Sequence, residues 1–369
     1  MEWDPYRALY LHVPFCKKRC LYCDFATRAI DRDDSALDVF TDDMVLALRR
    51  ASREELLGTI ETVYIGGGTP SYLGARRLAD LIYALSLSMH LTPEVECTLE
   101  MNPESVTLSL VKDLFALGVT RVSMGVQSFN DDLLMRLGRV HSADQARRAL
   151  DAVQYRFDNV SIDLMCGLPG QTTELFLDSV DEAIARGVKH VSVYPLMVEE
   201  GTPLDAMVRG GEIEIDEDAG AEHMEAAARR LEGAGMHRYE VASYAYPGYE
   251  SRHNTAYWTG IPYLGLGKGA VTMRQNDLCR ERIEDGRVLE SLDPFQRAAE
   301  DLMLAMRMSR GVSDGDLEIA SILLPAAPAT FASLRDEGLV AHDEGRWRPT
   351  KTGWLFGNRL YGRLLDLAP

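Results

Sequence analysis

"YLHVPFCKKRCLYCDF", Tyr10 to Phe25, starts as an apolar run and breaks into a loop with three cysteines. Three and then two residues separate Cys16, Cys20 and Cys23. Thiols this close cannot all pair as disulfides, so the spacing points to metal. A structural zinc ion asks for four ligands, usually as two separated pairs; no partner pair is evident. An iron–sulfur cubane held by three thiolates leaves one iron with an open site. Where a further cysteine would next be sought stands Phe25.

Working outward, the run before the loop is the first of a series: residues 8–14, 62–68, 97–103, 121–128, 160–169 and 191–197. These runs are rich in Val, Ile, Leu and Tyr, and most lack a clean alternation, as strands covered on both faces do. Between them lie helical patterns over 36–51, 142–157 and 172–187, the last two opening on Ser or Thr and the last closing at Gly187. Such alternation predicts an α/β fold with a parallel sheet. The strand ends carry His12, Gly66–Gly67–Gly68–Thr69, Glu100 and Asn102, Gln127 and Ser128, and Asp163. Ends that all bear chemistry suggest one shared mouth, as in a barrel; six units rather than eight predict an incomplete one. Further on, 216–235 reads as a helix, 238–245 as a strand, 246–270 as a Tyr-, Pro- and Gly-rich stretch, and 295–308 as a helix. The tail reads as helix, turn, short hairpin and helix, a winged-helix-like α+β pattern. The expected domains are a partial barrel over 1–235, a strand and loop extension over 236–290, and the small C-terminal domain over 291–369.

The chain has 369 residues, 46% of them hydrophobic, enough for a large core and a second, smaller domain. A formal net charge of −18 argues against a nucleic-acid surface, so the C-terminal domain is expected to serve packing rather than DNA. The charged N-terminus does not read as a signal peptide, and no window reaches the ~18 apolar residues of a spanning helix. A cytoplasmic location is expected. Cys97 and Cys166 lie in strand-like stretches and read as buried small hydrophobes; Cys279 is less easily placed.

A C-x3-C-x2-C loop after a first strand resembles the signature of the radical S-adenosylmethionine (SAM) superfamily. The resemblance implies a (β/α)6 partial barrel and a [4Fe–4S] cluster on Cys16, Cys20 and Cys23, whose open iron chelates SAM. "GGGTP" resembles the family's glycine motif, placing Gly67, Gly68 and Thr69 against the SAM amino group. Tyr10, Glu100, Gln127, Arg139 and Asp163 resemble SAM-binding positions of the coproporphyrinogen-oxidase-like branch. Carboxylates suit ribose hydroxyls and an Arg suits a carboxylate.

Within that branch two features discriminate. The oxidases carry another cysteine where this chain has Phe25, and only nine residues precede Tyr10, too few for their N-terminal substrate segment. "RHNTAYW", 252–258, resembles the H-N-x-x-Y-W motif of the HemW-type heme chaperones. Read alone, it is a loop with an anchoring Trp. The resemblance implies heme binding, with His253 as axial ligand and Tyr257 and Trp258 as flat faces. Lys268 and Pro195 depart from the family pattern. The implied function is delivery of heme to acceptor hemoproteins, respiratory ones included. Enzymatic turnover, peripheral membrane contact and oligomeric state are left open. The alternatives are a radical SAM enzyme on a porphyrin or heme, by decarboxylation or ring opening, and a two-SAM methyltransferase.

Overall fold

The computed structural model describes residues 2–53 and 57–369. Strand β1 (Tyr6–Val13) leads into the cysteine loop, which a two-residue parallel pair, β2 (Phe15–Cys16) and β3 (Arg28–Ala29), staples at its base. Helix α1 (Ala36–Ala51) follows, with Leu37, Met44 and Leu48 on its buried side. Then come β4 (Leu57–Gly67), α2 (Ala75–Ser88), β5 (Leu91–Met101), α3 (Leu108–Ala116) and β6 (Arg121–Gln127). After the short α4 (Asp131–Arg136) come α5 (Ala143–Gln154), β7 (Val160–Cys166), α6 (Thr173–Ala185) and β8 (His190–Pro195). Ser142 and Thr172 cap α5 and α6, and Gly187, at φ +70°, follows the end of α6.

β1, β4, β5, β6, β7 and β8 lie side by side in that order, all parallel, so the expected six-unit partial barrel is present. Side chains facing the helices, such as Leu99, Val122, Met124 and Ile162, are fully buried. Those facing inward are largely polar. Cys97 and Cys166 are buried in β5 and β7, as expected.

The region after residue 200 keeps the helix expected over 216–235 but differs in two stretches. Past α7 (Pro203–Arg209) and α8 (Glu217–Gly233), residues 238–245 form not one strand but parts of a small hairpin, β9 (His237–Arg238) and β10 (Ser243–Ala245), with β10 paired to β8. "RHNTAYW" is a helix, α9 (Arg252–Trp258), not a loop. Its N-terminus is satisfied from a distance: Arg252 N–H and His253 N–H donate to the Glu96 carboxylate, each at 3.1 Å. β11 (Tyr263–Leu266) then returns beside β1, in parallel. A meander of β12 (Val271–Gln275), β13 (Arg280–Glu284) and β14 (Arg287–Leu292) extends that edge, giving a 12-stranded sheet among the described residues.

Helices α10 (Pro294–Ala305), α11 (Asp314–Leu323) and α12 (Ala327–Asp336) surround a three-stranded sheet with α13 (Lys351–Leu355) and α14 (Gly357–Leu365). The strands are β15 (Val312–Ser313), β16 (Val340–Asp343) and β17 (Arg346–Pro349). This unit has its own core around Phe331, Leu334 and Leu360. No helix among the described residues is long and apolar enough to cross a membrane.

Candidate functional site

The cysteine loop is held by backbone bonds to its surroundings. Leu21 N–H donates to Leu137 O at 3.1 Å, just past α4, and Leu204 N–H donates to Leu21 O at 2.9 Å. The glycine turn after β4 is bound to the same strand end: Gly68 N–H donates to Val13 O at 2.7 Å and Thr69 N–H to Phe15 O at 2.8 Å. A Cβ on Gly68 would stand 2.6 Å from Phe15 O and 2.9 Å from Cys16 Sγ, so only glycine permits this approach.

A cavity of about 300 Å³ opens at the C-terminal strand ends. Cys16, Cys20, Cys23, Gly67, Gly68, Glu100, Gln127, Arg139 and Asp163 all line it. Nine of the fourteen residues singled out from the sequence thus share one wall. The other five do not line it. Thr69 lies behind, donating to Cys16 Sγ at 3.5 Å. Tyr10 donates to His12 Nδ1 at 3.0 Å while His12 Nε2–H reaches Ala26 O, so Tyr10 orients the base of the cysteine loop.

Arg139 ties the wall together. Its guanidinium donates to Cys20 Sγ at 3.6 Å, to Asn102 Oδ1 at 2.9 Å and to Gly125 O at 2.6 Å. Asn102 in turn donates to Thr69 Oγ1 at 2.8 Å. Asn102 was not among the binding candidates, yet it sits two residues from Glu100 and so on the same strand face. Glu100 accepts from Tyr64 OH at 2.7 Å and from Gly67 N–H at 3.0 Å. Enclosure by protein pushes its carboxyl up to about 7 against the Tyr64 hydrogen bond, with the nearby Asp163 charge adding to the rise. Asp163 is raised to about 6 by the same enclosure, against a hydrogen bond from Ser192. Gln127 sits at φ +67°, beside a break in register between β6 and β7. A non-glycine residue there is strained, by roughly 1–3 kcal/mol, which marks the side chain itself as needed.

The three cysteines are free thiols. Burial pushes the Cys16 thiol up, a Thr69 hydrogen bond opposes this, and the charges of Cys23 and Cys20 raise it further. Thiolates that repel one another on a cavity wall are relieved by bound cations. Among the described residues no three His, Cys, Asp or Glu converge on a single ion. A cluster asks for no such convergence, since its thiolates each reach a different iron.

In the H-N-x-x-Y-W helix the candidate heme ligand is enclosed. His253 is 1% exposed. Its Nδ1 is 2.9 Å from Thr62 Oγ1 and its Nε2 is 2.9 Å from Tyr257 OH. The ring stacks on Tyr64, centroids 5.1 Å apart. Burial, then the Arg121 charge, lower its pKa to about 3, so it is neutral. Neither nitrogen is free for heme iron in this conformation. Tyr257 packs edge-on against Tyr263, and Trp258 faces the Arg307 guanidinium at 4.5 Å. Only Asn254 of this motif reaches the cavity.

The radical SAM superfamily model matches residues 10–183, and the HemN C-terminal domain model matches residues 292–356. The chain is 31% identical to "Heme chaperone HemW" of Bacillus subtilis (strain 168), over 97% of its own length and 99% of the relative's. It is 42% identical to the protein of the same name from Mycobacterium tuberculosis (strain ATCC 25618 / H37Rv), over 73% and 70%. The fold is similar to that of coproporphyrinogen III oxidase (HemN) from Escherichia coli, with a TM-score of 0.80, 20% identity and coverage of 98% and 90%. At that identity the likeness speaks for the fold alone. The superfamily implies a [4Fe–4S] cluster and SAM, and the cavity's donors suit both. By sequence over its full length and by fold, the chain belongs to the HemW family of radical SAM proteins.

Proposed function

We propose that this chain is a cytoplasmic heme chaperone: it binds heme and delivers it to acceptor hemoproteins, respiratory ones included. In this reading Cys16, Cys20 and Cys23 hold a [4Fe–4S] cluster beside SAM. The similarity across nearly the whole chain to a protein named a heme chaperone is the observation that supports it. When bound, the cluster supplies a reducing electron and an iron open to the SAM amino-acid group. The chain's own residues do the holding. Gly67 and Gly68 bring peptide groups against the amino end. Arg139, fixed by Asn102 and Gly125 O, offers its charge to the carboxylate. Glu100, Asp163 and Gln127 face the cavity as partners for ribose hydroxyls.

Phe25, 59% exposed at the cavity rim, stands where the oxidases place a thiol and contributes a flat apolar face instead. The test is a titration of the reconstituted protein with heme, followed by Soret absorbance, alongside incubation with coproporphyrinogen III, SAM and a reductant. A stable heme complex and no decarboxylated porphyrin are expected. Because both His253 nitrogens are engaged, the complex is expected to survive His253→Ala. Absence of heme binding, or porphyrin turnover, would sink the chaperone reading.

A further inference from the structure

Two arginines rank among the largest fully buried side chains of the molecule, Arg121 and Arg280. Their surroundings are opposite. Arg280 has a partner for every group: Nε donates to Gln275 Oε1 at 3.0 Å, Nη1 to Glu300 at 2.6 Å and Nη2 to Asp301 at 2.7 Å. That is how a buried cation is ordinarily kept. Arg121 is 1% exposed and its Nε has no partner. No hydrogen bond or ion pair to its guanidinium is found among the described residues.

Arg121 opens β6, and period-two alternation puts it on the same face as Ser123, Gly125 and Gln127, all of which line the cavity with it. The guanidinium is thus a cation at the cavity end away from the cysteine mouth. Arg139 occupies the mouth end, beside Cys20. Of the polar groups at this inner end, Ser123, Ser192, Tyr194 and Asn254 are not among the positions assigned to SAM, although Ser192 hydrogen-bonds one of those, Asp163.

Glu100 and Asp163, on the same cavity, answer part of the Arg121 charge, and each has its own pKa drawn down by it. What the guanidinium lacks is an acceptor within hydrogen-bond reach, and a buried donor left unmet is costly; a carboxylate supplies two acceptor oxygens to a guanidinium in bidentate form. We propose that the inner end of the cavity, with Arg121 as its counter-charge, binds a carboxylate of an organic guest, distinct from the carboxylate taken by Arg139. At about 300 Å³ the cavity is at the small end of ligand pockets, so beside SAM it admits an acidic side arm and not a macrocycle. Resting on the heme reading above, the guest is a tetrapyrrole propionate; the competing source is SAM's own carboxylate.

The test compares heme with heme dimethyl ester, whose carboxylates are masked, and with SAM, on the cluster-loaded protein. Wild-type protein is expected to prefer heme to the ester by about 10- to 100-fold, the worth of a charge-assisted pair. Arg121→Gln is expected to erase that preference while the SAM affinity holds, and Arg121→Lys to restore part of it. The wild-type comparison stands even if a variant fails to fold. Equal binding of heme and ester by the wild type overturns the inference and leaves the chaperone reading intact. A fall in SAM affinity in Arg121→Gln with the heme preference kept also overturns it, assigning the charge to SAM. No heme binding by the wild type would instead remove the chaperone reading, and the inference with it.

Discussion

Two buried histidines show how far a residue's role depends on what encloses it. His190, like His253, is engaged on both nitrogens, by Ser161 Oγ at 2.7 Å and Tyr239 OH at 2.9 Å. Burial, then the Arg121 charge, hold its pKa well below 6.5, so it folds neutral. Below pH 6.5 the unfolded chain takes up a proton that the folded one refuses, and stability falls with acid. In His190→Gln that loss is absent. The stability gap between wild type and variant is therefore expected to be widest above pH 6.5. It should close by up to about 1.4 kcal/mol for each unit below, as urea unfolding across a pH series would measure. An unchanged gap would mean His190 is protonated in the fold. The cysteines, the glycine turn and Glu100 were legible from residue type because they sit at or just past strand ends, whereas Asp163 lies within β7 and Arg139 past α4, and the binding role of both rested on the resemblance. Arg121 was legible too: counting back from Gln127 by twos reaches it. For His253 the imidazole's chemistry is visible in sequence, while its burial beneath Tyr64 is not.

At the scale of elements, α9 depends on a partner far away in the chain. Seven residues make too short a helix to persist alone. Its first amide groups are answered by Glu96 on β5, 156 and 157 residues earlier. The one local signal is the Ser251 cap, whose side chain accepts from Asn254 N–H at 3.3 Å; the distant Glu96 contact is invisible in sequence, and the segment reads as a loop. The longer helices α1, α5 and α6 carry their own signals, apolar periodicity and, for α5 and α6, Ser or Thr caps, and were legible almost to the residue. Glu96→Ala is expected to cost about 1–3 kcal/mol, the price of leaving buried donors unmet. Hydrogen exchange should locate the effect: α9 amides lose protection while those of α1 keep theirs. Uniform loss across both helices would contradict a local docking role for Glu96.

For the whole molecule, the joint between the barrel sheet and the C-terminal unit is ionic and buried. Arg280 on β13 grips Glu300 and Asp301 on α10, and Arg282 adds a second contact to Glu300 at 2.6 Å. Replacing Arg280 by Met removes one partner from each carboxylate, while Arg282 still holds Glu300 and Asp301 is half exposed. A loss of about 1–3 kcal/mol is expected, read by thermal unfolding. A loss below about 1 kcal/mol would put the joint's strength in apolar packing instead. The six parallel strands were legible because their runs are rich in Val, Ile, Leu and Tyr, with a fully apolar face toward the helices. The antiparallel meander was not, since β13 and β14 are charged and partly exposed.

The return of β11 to lie beside β1 also bears on how the chain is made. β1 pairs early with β4, but its other edge waits for residues 263–266. At ordinary rates of synthesis that is roughly 10–50 s of open strand edge on a nascent chain. An apolar edge bare for so long invites pairing with other chains.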